Sequence, residues 1–188
     1  MRRFLIKDCQ KSFLWKNAEF DYEEHEISDP YHGASMNLEN NIVFNFKFKV
    51  EKIEGTAKYA IVTYKNVDGE IVTTEEILVT TEVTNKGIEL YVVKFDTFLV
   101  EDANQLFTCD LYAEDGTLLA SEKDGLLNYC ARAIKGLDAM LPDNYNSGKT
   151  FQIPFYKALA AYLEEVNAYA VATKGENAGK PENDTDAE

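Results

Sequence analysis

The feature that most constrains this chain is an alternation of side chains between residues 41 and 50. Large apolar side chains occupy every second position, namely Ile42, Phe44, Phe46, Phe48 and Val50. The polar residues Asn45, Lys47 and Lys49 lie between them. Because successive side chains of a β-strand point to opposite faces, this pattern predicts a half-buried strand with an aromatic inner face.

Turn signals divide the rest of residues 33–121 into further short strands. Asp68-Gly69 and Asp115-Gly116 are pairs favoured in two-residue type I′ hairpin turns, and Asn85-Lys86-Gly87 marks another turn. The flanking strands are predicted at residues 59–64, 71–79, 87–95, 106–112 and 117–120. Short strands at this spacing favour an α+β protein built on an antiparallel β-sandwich, of immunoglobulin-like or jelly-roll-like type.

After residue 121 the apolar spacing changes to three and four, which is typical of helices. Ser121 and Asp124 have the spacing of a capping box that opens a first helix, and Pro142 ends it. Its apolar stripe consists of Leu126, Cys130, Ala133, Leu137 and Leu141. The second helix is predicted near residues 154–172, and its apolar stripe is Phe155, Leu159, Tyr162, Val166 and Tyr169, with Leu163 beside it. We expect residues 122–173 to form a helical hairpin packed on the sandwich or on a partner chain.

The two ends of the chain differ in composition from this central region. Residues 1–32 form a predicted N-terminal arm, and residues 174–188 form a predicted acidic, disordered tail without a large apolar side chain. The candidate interface residues of the arm are Phe4, Leu5, Phe13, Leu14 and Trp15. They either cover the sandwich or anchor the arm in a neighbouring subunit, as large apolar side chains do at interfaces.

The charge of the chain excludes some partners. The net charge of −14 argues against binding to nucleic acid or to an anionic membrane surface, because both require a basic surface. No apolar run approaches the length of about 18 residues that a membrane-spanning helix needs. The first residues lack the apolar segment of a secretion signal, so we expect the chain to begin at its own Met1. These features favour a location in a virion or the cytoplasm, with the extracellular surface as the alternative.

Motifs for catalysis and metal binding are incomplete. The segment Ser147-Gly148-Lys149-Thr150 ends like a phosphate-binding loop, but Asp143 stands where that motif has its first glycine. A calcium loop starting at Asp143 would place Pro154 at the position of its bidentate glutamate. His25 and His32 are too few for a structural zinc site without a nearby cysteine pair. We therefore expect no catalytic residue, no cofactor and no metal site.

The three cysteines are predicted to be small buried hydrophobic residues. Cys9, Cys109 and Cys130 are odd in number, widely spaced and without a CxxC pair. Buried thiols of this kind are poor nucleophiles. The cysteines therefore add no argument for an enzyme, and a reducing or indifferent environment fits them.

Three segments of the chain stand out together, namely GASMNLENNIVFNFKFKV, DLYAEDGTLLASEKDGLLNYCARAI and FYKALAAYLEEVNAYA, and they include the strings Gly33-Ala34-Ser35 and Asn45-Phe46. In this order they resemble a repeat domain of secreted and cell-surface proteins from gut clostridia. The resemblance covers about residues 33–170 and has no catalytic signature. It implies a β-sandwich with a terminal helical pair, displayed outside the cell or carried on the particle of a phage of such a host.

The favoured function is that of a non-enzymatic structural or interaction subunit of a large assembly. Within that class, the sequence favours a phage virion accessory protein, such as a head decoration, fibre or tail protein. Its expected partners are other protein subunits, including copies of itself. The alternatives are an extracellular adhesion or carbohydrate-facing module and a small acidic cytoplasmic binder or inhibitor that is steered to a basic partner.

Overall fold

The chain forms two antiparallel β-sheets followed by a pair of helices, in a computed structural model that describes residues 28–38, 41–140 and 152–177. The prediction of an antiparallel sandwich with a C-terminal helical pair is confirmed. The strands are β1 (Tyr31–Leu38), β2 (Ile42–Lys49), β3 (Tyr59–Lys65), β4 (Ile71–Thr73), β5 (Ile77–Leu78), β6 (Thr80–Val83), β7 (Glu89–Phe95), β8 (Phe107–Tyr112) and β9 (Leu118–Asp124). The helices are α1 (Leu126–Met140) and α2 (Ile153–Asn177).

The two sheets differ in the number of their strands and in the strands at their edges. The four-stranded sheet has the order β1-β2-β7-β6, and the five-stranded sheet has the order β4-β3-β8-β9 with β5 also paired to β3. The chain passes from one sheet to the other through β5 and β6, which are two and four residues long. Such short edge strands offer few free backbone groups for pairing with another chain.

The interior between the sheets is aromatic, and the alternation predicted for residues 42–50 is confirmed. Phe44, Phe46 and Phe48 of β2 are fully buried and face the other sheet. The rings of Phe44 and Phe107 lie 6.1 Å apart across the interior, and Phe95 lies 4.9 Å from Phe107. Both helices join this cluster, because Leu126 of α1 and Leu163 of α2 are buried members of it.

Three hairpin loops share one geometry, which differs from the predicted type I′ turn. In the first loop, Asn66 N donates to Glu70 O and Gly69 N donates to Asn66 O, each at 2.9 Å. Gly69 has a φ of 82°, and no non-glycine residue in the described ranges has a positive φ. A type I′ turn needs two successive residues with positive φ, and this loop has only Gly69, so it is a type I turn followed by a glycine bulge. The same pair of hydrogen bonds recurs at residues 84–88 and 113–117.

The predicted capping box at residues 121–124 is wrong, because β9 continues to Asp124 and α1 begins only at Leu126. Glu122 and Asp124 point into the interior, whereas Lys123 between them is exposed. The strand ladder with β8 continues to the pair of Asp124 with Phe107. Acidic residues seldom occupy inward strand positions, so the same four residues resembled a helix start.

The predicted stripe of α2 is partly wrong. Leu159 and Leu163 are buried as predicted, but the small residues Ala160 and Ala170 complete the buried face. The exposed members of the predicted stripe are Phe155 (44%), Tyr162 (49%) and Tyr169 (67%). Apolar side chains therefore occupy two sides of this helix, and the side with alanines packs inward because small side chains allow close approach to α1.

The two ends of the described chain also differ from the predicted segment limits. β1 begins at Tyr31, which the sequence analysis assigned to the arm, and Tyr31 is buried in the interior. At the other end α2 continues to Asn177, past the predicted end of the helical hairpin. The remainder of the predicted tail, residues 178–188, lies outside the described residues.

Candidate functional site

The described thiols cannot serve as nucleophiles at neutral pH. Cys109 lies on β8 and Cys130 on α1, and both are fully buried. Burial raises the pKa of Cys130 to about 12 and raises the pKa of Cys109 well above its usual range. Because the thiolate is the reactive form, both side chains are inert small hydrophobic groups. Cys9 lies outside the described residues.

Of the candidate metal and phosphate-binding residues, only His32 lies within the described residues. His32 is an exposed residue of β1, whereas His25 and the segment 147–150 lie outside the described residues. Among residues 28–38, 41–140 and 152–177, no three His, Cys, Asp or Glu side chains are grouped so that they could hold a metal ion. The absence of a metal site and of catalysis stays a prediction from the sequence.

A buried polar cluster lies where β1, β9 and α1 meet. Asp124, which is fully buried, accepts a hydrogen bond of 2.7 Å at Oδ2 from the Tyr31 hydroxyl. The guanidinium of Arg132 contacts the same oxygen, and Gly125 N donates to Oδ1 at 2.8 Å. Burial, together with the nearby Asp124 carboxylate, raises the pKa of Tyr31 well above its usual range.

This cluster is a structural connection between distant parts of the chain. Tyr31 and Asp124 are far apart in sequence, yet their hydrogen bond joins the first described strand to the last. Ser28 reinforces the same junction, because its backbone N donates to Glu122 Oε2 at 3.0 Å and its hydroxyl contacts the same oxygen. A buried carboxylate with several donors and a guanidinium partner is stable without taking part in chemistry. The sequence signal for it is the pair of acids at alternate positions 122 and 124, within the segment where Ser121 and Asp124 predict a capping box.

Polar contacts also attach the end of α2 to the sandwich loops. Lys174 Nζ lies 2.8 Å from Asp68 Oδ2 and 3.3 Å from Glu101 Oε1. Hydrogen bonding to Asp68 raises the pKa of Lys174. Two turns of helix earlier, Asn167 Nδ2 donates to Glu101 O at 2.8 Å. These contacts fix which side of α2 faces the sandwich.

A polar groove of about 480 Å³ lies on the outer side of the five-stranded sheet, beside the start of α1. Its polar lining residues include Lys65, Asn104, Gln105, Thr108 and Lys123. Amides, hydroxyls and amines can donate and accept hydrogen bonds, so the groove offers groups that suit a polar ligand.

An apolar groove of about 550 Å³ lies on another side of the molecule, between the ends of β1 and β2 and helix α2. Its apolar lining residues are Leu38, Ile42, Phe98, Val100, Leu159 and Tyr162. Leu38 and Val100 are exposed, so the groove is open to solvent. Asp96 is the acidic residue in its lining.

One side of α2 continues this apolar surface. We name Phe155, Tyr162 and Tyr169 the α2 outer face. They are spaced by seven residues, which places them on one side of a helix with little drift. Tyr162 belongs both to this face and to the apolar groove. The apolar spacing of the sequence predicts these residues as part of the stripe of this helix, packed on the sandwich or on a partner chain.

The five candidate interface residues of the arm are not brought together by any described contact. Phe4, Leu5, Phe13, Leu14 and Trp15 all lie outside the described residues, so their role stays a prediction. The α2 outer face is thus the aromatic surface that the described part of the chain exposes.

Comparisons with known proteins give no identification. No protein family, curated protein or solved structure matches this chain. The resemblance to the clostridial repeat domain therefore stays a prediction, and the function must be argued from the surface itself. Within the described ranges, neither helix has the length and apolar character needed to cross a membrane.

Proposed function

We propose that the protein is a non-enzymatic interaction subunit of a large assembly, and that the α2 outer face contacts another protein subunit. The observation that supports this is the exposure of Phe155, Tyr162 and Tyr169 on one side of one helix. Exposed apolar patches on soluble proteins mark interaction sites. Tyrosine is favoured at interfaces because its ring packs against a partner while its hydroxyl remains hydrated before binding.

The surroundings of the α2 outer face favour a protein partner with an apolar centre and basic groups around it. The apolar groove extends the face towards Leu38 and Val100, so an inserted apolar side chain gains contacts on several sides. Two acidic residues add negative charge near this surface. Asp96 lies in the lining of the apolar groove, and Glu165 is one helical turn after Tyr162. With a net charge of −14 overall, the chain is steered towards a partner with basic groups around an apolar centre.

Our more specific proposal is an accessory subunit of a phage particle, such as a head decoration, fibre or tail protein, with copies of itself among its neighbours. The support for it is the resemblance described from the sequence together with a surface suited to contact rather than to chemistry. A small sandwich with a lateral helical pair can present such a face while its interior remains closed.

The test is co-sedimentation with particles. Particles from the native source are fractionated on a density gradient, and an antibody locates the chain in each fraction. The same measurement is made with a variant chain that carries both Tyr162→Ser and Tyr169→Ser. The matched control is Leu118→Ser, which also changes an exposed apolar residue but lies on β9. We expect the native and control chains in the particle fraction and the tyrosine variant in the free fraction.

Each alternative result has a clear meaning. A native chain found only in the free fraction contradicts the particle proposal. If the tyrosine variant sediments with particles as well as the control does, the contact surface is not the α2 outer face.

The second candidate function is that of a carbohydrate-facing module, which the polar groove favours. Asn104 and Gln105 provide planar amides, and Thr108 provides a hydroxyl, which are groups that recognise sugar hydroxyls. Calorimetric titration with cell-wall oligosaccharides tests this function. Saturable heat that is lost in Asn104→Ala with Gln105→Ala supports it, whereas the absence of saturable heat in the native chain rejects it.

A further inference from the structure

The outer sides of the two sheets differ in burial. On the five-stranded sheet, outward residues such as Lys65 and Lys123 are exposed, as expected for a face in water. On the four-stranded sheet, three outward residues are almost inaccessible, since Leu90 is 1% exposed and Asn45 and Val92 are 4% exposed, whereas the outward Lys94 at the end of β7 and Glu82 of the edge strand β6 are exposed. We name Asn45, Leu90 and Val92 the sheet outer face. The strand register confirms the direction, because these residues alternate with inward residues of β2 and β7.

The described residues cover this face only in part. The ion pair of Lys47 with Glu82 runs from β2 to β6 over β7, so the methylene groups of Lys47 shield some apolar surface. The helices are on the other side, because α1 reaches β2 through Tyr129 and the inward-facing Phe44, whose rings lie 6.5 Å apart. Leu90 and Val92 do not belong to the interior cluster. Their low exposure therefore does not come from packing in that interior cluster.

Asn45 supplies a second, independent observation. Its Nδ2 donates to Ser35 O and contacts Ser35 Oγ, both at 3.3 Å. Its Oδ1 is buried and has no hydrogen-bond partner among the described residues. A buried acceptor without a donor is costly and is rarely left so in a folded protein. The cover over this face must therefore bring a donor as well as apolar side chains.

The position of the chain ends selects the covering segment. Asp29, the second described residue, lies 3.8 Å from Lys49 Nζ and 3.0 Å from Lys52 Nζ, so the chain enters the described fold beside the Lys49 corner of this sheet. The undescribed residues 178–188 contain no large apolar side chain. Residues 1–16 contain five Lys or Arg donors as well as the five arm residues Phe4, Leu5, Phe13, Leu14 and Trp15.

We propose that the sheet outer face is the docking surface for residues 1–16 of the same chain, with apolar arm residues over Leu90 and Val92 and a donor to Asn45 Oδ1. The short tether between residue 16 and Asp29 favours docking within one chain, because it keeps the arm at a high effective concentration near the face. This selects the first of the two roles that the sequence left open for the arm, and it is independent of the contact proposed for α2.

The single tryptophan, Trp15, reports on this docking in the full-length chain. We expect blue-shifted emission and weak quenching by acrylamide in the native chain, both independent of protein concentration. Val92→Glu should shift the emission to the red and raise the quenching constant severalfold. The control Thr108→Glu changes an outward residue of the other sheet and should leave both signals as in the native chain.

Three results overturn the proposal: a quenchable Trp15 in the native chain, an unchanged Trp15 signal in a folded Val92→Glu chain, or protection that disappears on dilution. The last result would assign the face to the arm of a second copy. If Val92→Glu does not fold, a photo-crosslinking phenylalanine analogue at position 13 of the otherwise native chain decides. Crosslinks to β7 or to the neighbouring β2 within one chain support the proposal, and crosslinks between chains or to any other element overturn it.

Discussion

The interior aromatic cluster and the α2 outer face are built from similar side chains in different surroundings. Phe95 and Phe107 have ring partners from both sheets, and their rings lie 4.9 Å apart with no solvent contact. Tyr162 and Tyr169 have partners on one side only. An aromatic ring contributes to folding in proportion to the surface that folding removes from water, so only the first group stabilises the free chain strongly. The second group remains exposed in the free chain, as the contact proposed for the α2 outer face requires.

The largest expected effect is at the centre of the interior cluster. Phe46→Ala should lower the free energy of unfolding by about 3–5 kcal/mol, because it leaves a cavity between fully packed sheets. Urea denaturation measures the change, and Tyr162→Ala is the matched control with an expected change within about 0.5 kcal/mol. A loss below about 1 kcal/mol for Phe46→Ala would contradict its place in the core.

The buried polar cluster should be nearly as sensitive as the aromatic interior. Asp124→Ala leaves the Arg132 guanidinium and the Tyr31 hydroxyl without their acceptor, so we expect a loss of about 3–5 kcal/mol. Tyr31→Phe removes one donor but keeps the charge pair, so its cost should be about 1 kcal/mol. Equal costs for the two variants in urea denaturation would show that the carboxylate is not held as described.

Two glycines, one just before α1 and one within it, allow the effect of close packing to be compared with that of helix propensity. A Cβ on Gly125 would lie 2.6 Å from Gln105 O, so Gly125→Ala should destabilise the fold by about 1–3 kcal/mol. A Cβ on Gly136 meets nothing within 4 Å, so Gly136→Ala should stabilise α1 by about 0.5–1 kcal/mol. Thermal unfolding of the two variants should therefore shift in opposite directions. A shift in the same direction would refute the close approach at Gly125.

The contrast between strands and helix also explains how much the sequence could predict. In β2 the period of two leaves one choice of inner face, because the opposite side carries lysines, and the prediction was correct. In α2 large apolar residues and alanines share the helix, so spacing alone could not decide which side faces α1. The burial of Asp124 could not be predicted from β9 alone, because it depends on Tyr31, which is distant in sequence, and on Arg132 of the next helix.

A pH series tests the closed environment of the interior. Burial raises the pKa of Cys130 from its usual value of 9.0 to about 12. Between these two pH values the thiol keeps its proton in the folded chain and has lost it in the unfolded chain. The unfolded chain then binds fewer protons, so stability is complete below about pH 9 and falls as the pH rises towards 12. Unfolding in urea at about pH 8 and about pH 10 should show a smaller fall for Cys130→Ala than for the native chain. Parallel falls would mean that this thiol is not shielded.

The last prediction changes no stability and separates the two aromatic groups directly. Tetranitromethane should nitrate Tyr162 and Tyr169 in the free chain but spare Tyr31 and Tyr64, which are buried. In intact assemblies the two α2 tyrosines should become protected, because a partner covers the rings that water covers in the free chain. Peptide mass spectrometry measures both states, and the partly exposed Tyr59 of β3 serves as an internal control that should react equally in each. Nitration of Tyr162 and Tyr169 to the same extent in the assembly as in the free chain would remove the α2 outer face from the contact, while leaving the interior cluster as described.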